Sequence, residues 1–98
     1  MKITPAQRKF LLSYIPDIMY EDGITPDMPR SAFVEKVSKL SFDGPATRGD
    51  CLVAKNLQES GIFADLVIHI EGAGQPAIGL KFTAVGADVL YDIHAKYG

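Results

Sequence analysis

The chain has 98 residues, 47% of them hydrophobic, and ten Lys and Arg against twelve Asp and Glu give a formal net charge of −2. That length makes one domain, residues 1–98, able to bury a core without staples. The charge balance weighs against a broad phosphate-binding surface, whose affinity comes from clustered cations. The single cysteine, Cys51, excludes an internal disulfide and a thiolate-rich zinc site and reads as a core residue. With no run of about 20 apolar residues and no basic-then-apolar leader, a soluble cytoplasmic protein with no membrane span is expected.

In chain order, Thr4-Pro5 predicts a helix start, since threonine caps and proline suits the first helical position. The helix runs to about Tyr14, with Phe10, Leu11, Tyr14 and Ile15 on its apolar side. Pro16 ends or kinks it, and Asp17 to Tyr20 fit one further turn. Glu21 to Arg30 has a glycine and two prolines and reads as an ordered loop pinned by Ile24 and Met28. Ser31 is expected to cap a helix over Ala32 to Leu40, with Phe33 and Val37 inward and Glu35 and Lys39 paired outward. Phe42-Asp43-Gly44-Pro45 reads as a turn.

Thr47 to Ser60 is an amphipathic helix, capped by Thr47 and stopped by Gly61. Its packing stripe is Val53, Leu57 and Ser60, with Leu52 and Asn56 beside it, and Asn56 is expected to be a hydrogen-bonded packing residue rather than a base reader. Ile62 to Ile70 alternates as a half-buried strand, Glu71 to Ala77 forms a glycine-rich tip, and Ile78, Leu80 and Phe82 mark a second strand of a hairpin. From Thr83 the period changes to that of a closing helix, with Val85, Val89 and Ile93 at i,i+4 and Leu90 and Tyr97 close to the same face.

Two stretches, LQESGIFADL (Leu57 to Leu66) and GLKFTAVGADVL (Gly79 to Leu90), resemble the recognition-helix exit and the second wing strand of winged helix-turn-helix domains in small bacterial and phage regulators. The second stretch carries Thr83, Gly86 and Leu90 at Thr-x-x-Gly-x-x-x-Leu spacing. The resemblance implies an α+β winged helix-turn-helix with three N-terminal helices, a two-stranded wing hairpin and a closing C-terminal helix. It also implies that the Thr47 helix lies in the major groove of double-stranded DNA and reads it as a transcriptional regulator does. Thr47, Arg48 and Gly49 would face the site, Arg48 reading guanine, with Lys55, Gln58 and Gln75 as further contacts. A homodimer through the C-terminal helix, by Val89, Ile93 and Tyr97, would add a second half-site. The departure from that pattern is a tip, Glu71 to Ala77, without Lys or Arg, together with Asp50 and Glu59 on the reading helix.

The charge pattern supports an alternative: an acidic winged-helix protein-interaction module, such as a phage-type inhibitor of a host nucleic-acid-handling complex. Its contacts would be Asp17, Glu21, Asp22, Asp27, Asp43 and Asp50, set against the simpler reading of a solvated connector. Tyr14, Met19, Tyr20 and Met28 are interface anchors in that alternative and core under the loop otherwise. No enzyme, cofactor or metal is expected. His69 and His94 have no partner at ligand spacing, Asp92 and His94 point to different helix sides, and no phosphate-cradling glycine motif opens a helix.

Overall fold

In the computed structural model, helix α1 (Pro5–Leu12) starts at the Thr-Pro step. The Thr4 hydroxyl accepts from the Gln7 N–H at 3.1 Å, and the Gln7 side-chain oxygen accepts from the Thr4 N–H at 2.9 Å, so the two residues satisfy each other's free donors. Pro16 falls in the first turn of a five-residue helix, α2 (Ile15–Met19), which buries Ile18. The structure describes residues 2–25, 27–70, 72 and 74–97.

Ile24 and Met28 are buried and hold the following loop to the core. Helix α3 (Arg30–Val37) differs from expectation at both ends. Pro29, at φ −60° and ψ 148°, takes the N-cap position with no side-chain cap, and its carbonyl accepts from the Phe33 N–H at 3.0 Å. Ser31 therefore sits inside the first turn. The helix stops at Val37, after which the N–H groups of Lys39 and Leu40 reach back only three residues. Phe33 and Val37 are buried, and Lys39 and Glu35 pair on the outside at 3.3 Å, as read from their spacing.

The predicted turn at 42–45 is a strand, β1 (Phe42–Pro45). Tertiary packing overrides the local turn signal, because the Phe42 ring lies 5.4 Å from Tyr14 and 5.8 Å from Phe82, in edge-on contacts. Pro45 is tolerated because β1 is an edge strand, where the missing N–H faces outward.

Helix α4 (Arg48–Glu59) keeps its expected ends. Gly61 has φ +83°, its N–H donates to the Gln58 carbonyl at 2.9 Å, and the Ile62 N–H donates to the Leu57 carbonyl at 3.0 Å. That is a Schellman stop, closed by Leu57 and Ile62, both fully buried. The buried stripe is rotated from the expected one: Cys51, Ala54 and Leu57 face the core, Leu52 is 63% exposed, and Asn56 and Ser60 lie in solvent.

Strand β2 (Phe63–His69) and strand β3 (Ala77–Phe82) form the expected hairpin, with Ile78, Leu80 and Phe82 buried. The expected tip includes Glu71 and Ala73, which lie outside the described residues. Rather than a two-stranded wing, the sheet has three antiparallel strands in the order β1-β3-β2, with Phe42 opposite Leu80 and Leu66 opposite the same Leu80 from the other side. Helix α5 (Ala84–Tyr97) buries Gly86, Ala87, Leu90 and Ile93. Of the expected inward set, Leu90 and Ile93 are buried and Val89 is half-buried, whereas Val85 and Tyr97 are mostly exposed.

The described residues form a small α+β domain with four helices of eight residues or more, one shorter helix and a three-stranded antiparallel sheet. Its helix order departs from a helix-turn-helix: β1 separates α3 from α4, α3 packs on α5, and α4 packs on α1 and β2. Among the described residues no helix is long and apolar enough to cross a membrane.

Candidate functional site

A groove of about 1080 Å³ runs between α1–α2 on one wall and β1 with the first turn of α4 on the other. Two capping arrangements position its walls. The Thr4–Gln7 pair fixes where α1 begins, and at α4 the Thr47 hydroxyl accepts from the Asp50 N–H while the Asp50 carboxylate accepts from the Thr47 N–H, both at 3.0 Å. Asp50 is thereby held at the groove wall, where its charge also favours the helix N-terminus.

Four carboxylates, Asp17, Glu21, Asp43 and Asp50, line the groove against one ammonium, Lys9. Tyr14 stands between them, its ring edge-on to Phe10 and Phe42 at 5.4 Å each. Burial first, and then the fields of Asp50 and Asp17, push its hydroxyl up to about 12, because a phenolate there would be poorly hydrated and repelled. Tyr20, at the same groove, is 91% exposed.

Of the acidic set read from the sequence, the fold brings Asp17, Glu21, Asp43 and Asp50 together on one groove. Asp22 faces a separate hollow with Glu35, Lys36 and Lys39, and Asp27 lies exposed in the loop. Met28 is core, whereas Tyr20 is free. Lys9 and the β1 backbone were absent from the sequence-derived set. A strand reading of Phe42 to Pro45, from its in-out alternation, was the signal that could have found the second wall.

The residues expected to meet DNA divide differently. Arg48 and Lys55 are both exposed and, seven residues apart, share one face of α4, with Gln58 exposed nearby. Thr47 is committed to its cap, and Gly49 lies on the groove wall beside Asp50. Gln75 is at the far end of the hairpin, in a shallow hollow with His69, Asp43 and Gly79. The expected dimer face on α5 is divided: Val89 is half-buried and Ile93 is buried in the core, leaving Tyr97 exposed under the Arg8 guanidinium at 4.2 Å.

Elsewhere, Asp92 is engaged by Arg30, and His94 keeps its Nδ1 buried with no hydrogen-bond partner among the described residues. Among the described residues no three His, Cys, Asp or Glu side chains are grouped to hold a metal ion. Comparison with protein-family models, curated proteins and solved structures returns no match for the chain.

Proposed function

We propose that this chain is a protein-interaction module whose acidic groove receives a cationic segment of a partner protein. The observation that carries this reading is the groove's four carboxylates against one ammonium, gathered from three separate parts of the chain. Exposed ion pairs contribute only about 0–1 kcal/mol each, so the carboxylates supply steering and selectivity. Affinity would come from desolvated contacts with Tyr20 and Tyr14, since aromatic anchors carry much of the energy of small interfaces. A partner surface shaped to hold nucleic acid has the matching charge, consistent with an inhibitor that occupies such a site.

The major-groove reading rests on Arg48 and Lys55, which share the exposed face of α4. The sheet order β1-β3-β2, with α4 feeding β2, supports that part of a winged-helix plan. Against it stand Asp43 and Asp50 beside the helix N-terminus, where a phosphate backbone would pass.

One titration separates the two. Fluorescence anisotropy of the protein against a labelled Lys/Arg-rich peptide and against mixed duplex DNA, each at two salt concentrations, is compared with the Asp17→Lys/Glu21→Lys and Arg48→Ala variants. Salt-sensitive peptide binding lost in the charge-reversed variant, with no duplex binding, supports the groove. Duplex binding lost in Arg48→Ala, with no peptide binding, overturns it in favour of the DNA reader.

A further inference from the structure

The two edges of the sheet differ in how they are protected. β1 is four residues long and places Pro45, which has no N–H, at its end. β2 is seven residues long, contains neither Pro nor Lys, and no described strand pairs with its outer side. Its bulge is confined to Phe63/Asp65, leaving a regular strand from Asp65 onward. An unpaired, apolar, regular edge is a template for another strand.

The side chains along it are also incompletely covered. Leu66 and Ile68 lie opposite the buried Leu80 and Ile78, yet remain half-buried themselves. Val67 on the other face is 50% exposed, and Ile70, just beyond the strand, is 51% exposed.

We infer that β2 pairs antiparallel with β2 of a second copy of this chain about a two-fold axis at Val67, joining two three-stranded sheets into one of six strands. The occupant follows from the residue order. With the axis at Val67, Asp65 stands opposite His69 of the second copy and Leu66 opposite Ile68. Every charged or polar side chain then meets a complementary one, since an imidazole N–H donates to a carboxylate, and every apolar one meets an apolar one. An axis on Leu66 sets Asp65 against Val67 of the second copy, and an axis on Ile68 sets His69 against Val67. Only the Val67 register satisfies both. Because a strand paired with itself about a residue is in phase with its own alternation, either set of outward N–H and C=O groups can form the ladder. Asp65, which alone would guard the edge by repulsion, is matched in this register.

A strand of this length makes a small interface, so the association is concentration-dependent rather than obligate. The test is sedimentation equilibrium of the intact chain across a concentration series, with Val67→Lys, His69→Asp, the exchanged pair Asp65→His/His69→Asp, and Val67→Thr. The expected result is association of the unaltered protein toward twice its 10.6 kDa mass. Val67→Lys and His69→Asp shift the protein to monomer, whereas the exchanged pair and Val67→Thr restore dimer. Circular-dichroism melts establish that each variant is folded, and amide exchange in the dimer should slow at alternate residues from 65 to 69. A protein that stays monomeric throughout the series, or a folded His69→Asp variant that dimerises as tightly as the parent, overturns the inference.

Discussion

The carbonyl oxygen of Ile62 lies 2.0 Å from the position a Cβ on Gly86 would occupy, so α5 rests directly on the backbone that links α4 to β2. Backbone cannot move aside as a side-chain tip can. Gly86→Ala is therefore expected to push α5 off the sheet and destabilise the protein by about 1–3 kcal/mol. For a domain of this size that corresponds to a fall in Tm of roughly 10 °C, readable by calorimetry. An unchanged Tm would contradict the close approach.

The same junction is closed by Thr83, whose hydroxyl donates to the Gly61 carbonyl at 2.5 Å and accepts from the Gly86 N–H at 2.9 Å. Thr83→Ala should cost about 1 kcal/mol through loss of the cap, and Thr83→Ser should recover most of it. Chemical denaturation of the three proteins decides the matter, and equal midpoints would exclude the cap.

Tyr14 is expected to titrate near 12, whereas exposed tyrosines titrate near 10. Its stabilising contribution is complete below about pH 10, where the unfolded phenol is still protonated, and is lost as pH rises from there through about 12. Ultraviolet phenolate titration with Tyr14→Phe as the subtraction reference reads this directly. Asp50→Asn should lower the value, and a late-titrating phenol that persists in Tyr14→Phe would reassign it.

Arg30 bonds Asp88 at 2.8 Å and also holds Asp92, one turn further along α5, while its guanidinium lies 4.8 Å over the Tyr91 ring. The hydrogen bond from Arg30, and then its charge, hold the Asp92 carboxyl below its ordinary range. A depressed carboxyl contributes stability above its unfolded value, about 4, and loses it as pH falls through the folded one. Asp92→Asn should thus lower Tm slightly at neutral pH, because the group is solvent-exposed. The difference should close in strong acid. A gap between the two proteins that stays constant with pH would rule out the linkage.

Tyr20, being 91% exposed, can be replaced with little effect on folding. Tyr20→Ala should leave the thermal melt within a degree or two and weaken binding of a cationic peptide about tenfold, near 1.4 kcal/mol. Unaltered affinity would remove Tyr20 from the interface while leaving the charge argument to the reversal variants.

The amino-acid order alone determined what depends on neighbours in sequence. Thr4 and Thr47 as caps, Gly61 as a left-handed stop, the alternation of Ile78, Leu80 and Phe82, and the Glu35–Lys39 pair all act within a few residues, so local physics settles them. Three matters were decided only by the folded chain. Phe42 to Pro45 became a strand because Phe42 meets Tyr14 and Phe82, and its partner β3 lies more than 30 residues away. α4 turned Cys51 and Ala54 inward beside Leu57, and α5 turned Gly86 and Ala87 inward beside Leu90 and Ile93, the Gly86 position being set by the Ile62 backbone packed against it. The groove exists because α1–α2 and β1–α4 meet, and although charge pattern marks Asp17 and Asp50 as candidate contacts, only packing separates them from Asp22 and Asp27 and sets them on one groove. Caps, stops and periods are short-range and legible, whereas a shared surface is a sum over distant segments that only tertiary packing brings into register.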